Sequence, residues 1–79
     1  MRLDKYLKVS RIIKRRTVAN EACDAGRVEV NGKVARASYD VKVGDIIKVS
    51  LGSNECEYEV IEVLEHALKE DALKMYKAL

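Results

Sequence analysis

At Gly26 the apolar pattern of this chain changes period, and that change limits the fold more than any other feature of its 79 residues. Upstream, Leu3, Tyr6 and Leu7 stand at i, i+3 and i+4, which predicts a short amphipathic helix near residues 2–9. Asp4 falls in its first turn, where a carboxylate suits the positive end of the helix dipole. Val18, Ala19, Ala22 and Cys23 form a second apolar stripe, with Thr17 placed to cap the helix. Gly26 ends it, because a glycine just past a helix accepts left-handed backbone. Downstream, Arg27–Val30 alternates as a half-buried strand does. Asn31-Gly32 is a strong hairpin signal, with Lys33–Arg36 as a weak return strand.

The alternation continues. Gly44-Asp45 marks a turn before Ile46–Leu51, and Gly52-Ser53-Asn54 leads into Glu55–Val63. In that last strand Cys56, Tyr58 and Val60 mark a core face, while Glu55, Glu57 and Glu59 mark an acidic one. Over Lys69–Leu79, the spacing of Ala72, Met75, Tyr76 and Leu79 predicts a terminal helix. Leu3, Leu7, Val18, Ala22, Val28 and Val30 are assigned to the core. No proline, repeat or low-complexity linker interrupts the pattern, so residues 1–79 read as a single domain of a size that buries only a modest core.

Composition narrows the chemistry. No apolar run is long enough to span a bilayer and no signal peptide is recognisable, so a soluble, cytoplasmic protein without membrane association is expected. Cys23 and Cys56 lack a C-x-x-C spacing and are expected as small packing residues. His66 is the only histidine, so no zinc set is expected, nor any cofactor. Neither a catalytic triad, a P-loop nor a dinucleotide fingerprint can be assembled, and an enzyme is not expected.

Charge is the feature left to explain. Residues 1–36 hold ten Lys and Arg against four Asp and Glu; residues 37–79 hold five against nine. Such asymmetry points to one face for a polyanion and an acidic face elsewhere. Four Tyr with no Phe or Trp are too few for a base-stacking platform. Lys14, Arg15 and Arg16 instead crowd the start of the second helix, where cations oppose the dipole unless a bound phosphate shares them.

The strings Arg2-Leu3-Asp4-Lys5-Tyr6-Leu7, Lys14-Arg15-Arg16-Thr17-x-Ala19, Ala25-Gly26-Arg27-Val28-x-Val30-Asn31-Gly32 and Asp40-Val41-Lys42-x-Gly44-Asp45 together resemble the S-four (S4) RNA-binding domain. The resemblance covers about residues 1–50; the more acidic residues 51–79 are only loosely similar. It implies an α+β fold, with two short N-terminal helices packed on a small bent antiparallel sheet, plus the C-terminal helix. It also implies RNA held on the helical face. Ser10-Arg11 and the Ala72-x-x-Met75-Tyr76 tail are similar to the heat-shock-protein-fifteen group, particularly to its members in ribosome-associated quality control.

For such a protein the expected partners are the large ribosomal subunit through its 23S ribosomal RNA, tRNA, and a tailing factor on the same particle, with the chain itself a monomer. Carried over residue by residue, the RNA-binding positions are Arg2, Lys5, Lys8, Arg11, Lys14, Arg15, Arg16 and Thr17, with Arg27 and Lys33 reaching phosphate from the first hairpin. Arginine suits this work because its planar fork engages two phosphate oxygens at once. Asp4 stands either as an orienting partner for a neighbouring arginine or as a helix-terminus residue. Two alternatives stay open: a permanent ribosomal component, and an RNA-targeting subunit that docks onto a modifying enzyme.

Overall fold

The computed structural model describes residues 1–79. Helices α1 (Leu3–Val9) and α2 (Arg16–Asp24) precede strands β1 (Val28–Val30), β2 (Lys33–Val34), β3 (Ile46–Leu51) and β4 (Asn54–Val60). A single helical turn, α3 (Lys69–Ala72), and strand β5 (Tyr76–Ala78) complete the order. The five strands form one antiparallel sheet in the order β2-β1-β3-β4-β5. No helix is long and apolar enough to cross a membrane.

Both helices pack on one face of this sheet. Leu3, Tyr6 and Leu7 of α1 and Ala19, Ala22 and Cys23 of α2 join Val28, Val30, Ile47 and Val49 in a single buried cluster. Residues alternating with these strand positions carry the charges of the outer face, where Glu29 pairs with Lys48 and Lys48 with Glu57 across neighbouring strands. Burial pushes the Cys23 thiol up to about 11, and the charges of Asp4 and Asp24 add to the effect, so it packs as a neutral thiol.

Helix ends follow local chemistry. After α2, Gly26 takes φ 75°, its amide donates to the Cys23 carbonyl and the Arg27 amide to that of Ala22. Those two bonds satisfy carbonyls that the helix leaves free. The hairpin turn also forms, with Asn31 and Gly32 at φ 53° and 84°. Asn31 does more than turn the chain. Its side-chain oxygen accepts from the Ile46 amide at 2.9 Å and its nitrogen donates to Asp45 at 3.1 Å, joining the two turns. Asp45 also accepts from Tyr39 Oη and the Lys42 amide.

Four expectations change. Val18 is 41% exposed, because the buried stripe of α2 runs through Ala19, Ala22 and Cys23 and leaves it on the flank. Cys56 is exposed, in the first half of β4, which is exposed throughout although the facing Val49 of β3 is buried. Strand β4 stops at Val60, three residues short of the expected end. The terminal helix is one turn only, after which Tyr76 to Ala78 pair with Val60 to Tyr58. The helical spacing there is overridden by an available strand edge. Met75 is fully buried, and its carbonyl accepts from Tyr6 Oη at 2.7 Å and from the amides of Ile61 and Glu62.

That convergence sets the expected outcome for Tyr6→Phe. The Met75 carbonyl keeps its two amide donors, so the loss should be one ordinary net hydrogen bond, about 0.5–1.5 kcal/mol. In a domain of this size the melting temperature should fall by roughly 2–12 °C, as thermal denaturation will measure.

Candidate nucleic-acid interface

The basic residues are arranged around a carboxylate. Asp4 is 2% exposed, and accepts from Arg2 Nε at 3.1 Å, Arg2 Nη2 at 3.3 Å, Asn20 Nδ2 at 3.2 Å and the Lys5 amide at 2.8 Å. Arg16 Nε lies 3.5 Å from its second oxygen. Burial alone would raise the Asp4 pKa; the bonds from Arg2, Asn20 and Lys5 and the charge of Arg16 outweigh it and hold the group below the ordinary 3.8. Asp4 thus serves both as orienting partner and as first-turn acceptor. Both guanidinium groups remain about half exposed, fixed at one end and open to solvent.

The two helix starts differ. In α1 the Leu3 and Asp4 amides donate to the carbonyls of Tyr39 and Ala37, so with Lys5 on the Asp4 carboxylate every early amide is satisfied. In α2, Arg15 and not Thr17 is the N-cap, in extended conformation and with no capping side chain. The helix begins two residues earlier than a Thr17 cap would start it, with Arg16, its first residue, beside Asp4. Thr17 lies within the first turn, beside a shallow cleft shared with Asp4, Arg16, Asn20 and Glu21. The first intrahelical bond runs from the Ala19 amide to the Arg15 carbonyl, and no group of the protein accepts from the amides of Arg16, Thr17 or Val18. Three free N–H donors thus lie beside the exposed Arg15 and Arg16, an arrangement chemically suited to an anion such as phosphate.

Arg11 occupies the position after α1 that Gly26 occupies after α2. Its φ is 64°, and its amide donates to the Lys8 carbonyl. Left-handed backbone costs a side-chain-bearing residue about 1–2 kcal/mol, so an arginine here is poorly explained by folding. Lys8, Arg11 and Lys14 line a groove of about 620 Å³ together with His66 and Lys69, which return from beyond β4. Lys5 pairs with Glu65 at its edge. The sequence did not single out Asn20, His66 or Lys69, and no local pattern marks them, since each reaches the basic side only through tertiary packing. Arg27 and Lys33 stand apart: Arg27 lines a hollow with Val18 and Leu51, and Lys33 one beside Val34 and Arg36.

Comparison with known proteins gives the family and the fold. The family model described as the S4 domain matches residues 1–47. A protein named RQC P-site tRNA stabilizing factor from Streptococcus pneumoniae is 52% identical over 79 residues, all of this chain and 90% of that one. A protein of the same name from Bacillus subtilis is 51% identical over 79 residues, all of this chain and 92% of that one. Among solved structures, trimeric heat shock protein 15 of Vibrio cholerae superposes with a TM-score of 0.91 at 28% identity, covering all of this chain and 81% of that one.

Two outcomes are expected. Asp4 has a lowered folded pKa, so its contribution to stability is complete above the unfolded value and is lost as pH falls through the folded one. Asp4→Asn should cost about 1–3 kcal/mol at neutral pH, and the gap from wild type should narrow below roughly pH 4; urea melts across that range will measure it. Arg11→Gly should raise stability by about 0.5–1 kcal/mol, the relieved strain less the added chain entropy, while weakening RNA binding. Melting curves and a binding titration on the same sample separate the two effects.

Proposed function

The chain belongs to the S4 domain family, and from that premise we propose that it is a non-enzymatic RNA-binding factor of ribosome-associated quality control, a single domain over residues 1–79. Its target on this reading is a large ribosomal subunit still obstructed by peptidyl-tRNA, where it holds 23S ribosomal RNA and the tRNA in the cytoplasm and supports C-terminal tailing of the nascent chain. The relatives' name supports the tRNA assignment. The observation that carries the reading is the convergence of Arg2, Arg16 and Asn20 on the buried Asp4 carboxylate beside three unpaired amides of α2.

This arrangement favours phosphate over small metabolites. A guanidinium held at one end loses little freedom when its other edge meets an anion, and each free amide adds a donor without reorganisation. No base-stacking surface accompanies them, because Tyr6 is buried, Tyr39 packs against the core with its hydroxyl on Asp45, and Tyr58 and Tyr76 are packed edge to face on each other. Recognition then rests on RNA shape and backbone.

Co-sedimentation with purified large subunits carrying peptidyl-tRNA tests the proposal. With about five phosphates neutralised, log affinity should fall against log salt with a slope of roughly −3.5 to −4.5. Arg16→Ala should weaken binding by about 1.5–3 kcal/mol, with only a small loss of stability because its pair with Asp4 is half solvated. Exchanging Glu55, Glu57 and Glu59 together for Gln should leave affinity unchanged, as they lie on the hairpin and outer face of the sheet. A flat salt response rejects the phosphate grip. Equal occupancy on translating ribosomes favours a permanent component, and a protein partner retained after nuclease treatment favours an enzyme subunit.

A further inference from the structure

We propose that the groove at the C-terminal end of α1 is a second phosphodiester site, holding RNA backbone that runs on from the phosphate met at the start of α2. This rests on the RNA-binding reading above and adds to it the part played by the chain beyond the family match, which ends at residue 47.

Its lining carries the argument. Lys8, Arg11 and Lys14 supply one wall, His66 and Lys69 the other, and Val9 and Ala67 are the only apolar contributors. Glu65 is the single carboxylate, and the Lys5 ammonium already engages it. With Glu65 offset by Lys5, the charges of Lys8, Arg11, Lys14 and Lys69 have no other counter-charge in the lining, an arrangement that favours entry of an anion. A polar, open groove is poorly suited to an apolar ligand, which needs an enclosed apolar lining.

The walls are held in place. The Lys5–Glu65 pair ties the returning segment to α1, and Val63, Leu64 and Ala67 pack against the core behind it. Arg11, at φ 64° in the turn after α1, lines the groove as well. Helix α1, its seven residues spanning about 10 Å at 1.5 Å per residue, stands between Arg2 at its start and Lys8 and Arg11 at its end, while Lys14 directly precedes Arg15 and joins the groove to the start of α2. One phosphate does not span the length of α1, so the groove takes a phosphate further along the strand than the one met at the start of α2.

The double variant His66→Ala, Lys69→Ala tests this in the full chain, against purified large ribosomal subunits carrying peptidyl-tRNA. Both side chains are exposed, so the melting temperature should not move. Affinity should fall roughly tenfold, and the salt slope should shrink by about 0.7–0.9 for each phosphate no longer held. Lys69→Glu, which adds a carboxylate to the groove, should lower affinity further than Lys69→Ala does. Arg16→Ala is measured in parallel. If it weakens binding while the groove variants keep wild-type affinity and slope, the second site is overturned and the RNA-binding reading stands. If every variant binds as wild type does, the reading itself fails and the groove proposal with it.

Discussion

A carboxylate taken out of water stays ionised only where donors surround it, because the desolvation penalty is several kcal/mol, roughly, for each isolated charge. Asp4 is in that position, and its needs fix the relation of the two helices. Arg2 comes from its own helix start, while Asn20 and Arg16 must come from α2, so α2 has to lie across α1 with its N-terminus at the carboxylate. The amides of Leu3 and Asp4 then require the carbonyls of Tyr39 and Ala37, which brings the loop after β2 against the same end. An apolar pair could hold two helices together equally well. It would not leave two arginines fixed at one edge and free at the other.

The sheet keeps opposite charge out of the way. Its covered face is built from Val28, Val30, Ile47 and Val49, and the residues between them turn Glu29, Lys48 and Glu57 outward. Lys48 donates to Glu55 at 2.9 Å, so part of the acidic hairpin is neutralised within the protein. The imbalance along the sequence thus becomes a difference between two sides of a domain with a radius of gyration of only 11.0 Å.

What could be read in the sequence was what is local. The two N-terminal helices, the glycine after α2 and the Asn31-Gly32 turn are decided by residues a few positions apart, and each formed as expected. The resemblance to a known domain brought Arg2, Arg11 and Arg16 forward. What the pattern could not supply was pairing over distance. Asp4 meets Asn20 sixteen residues away, and Lys5 meets Glu65 sixty away. Nothing at Tyr76 signals that strand β4 offers it an edge. Val18 shows a finer limit, because neighbouring positions on a helix differ by about 100°, and a four-residue apolar stripe does not say which member lies at its margin.

The sheet ends on both sides in very little strand. β2 contributes two residues, one of them Lys33, and β5 contributes three, with Lys77 at its middle. A foreign strand laid against either edge would gain only a few ladder bonds and would have to desolvate an ammonium to do so. Chains gathered closely on one polyanion meet at high local concentration, the condition under which open sheet edges join into aggregates. Here the edges give such growth almost nothing to build on.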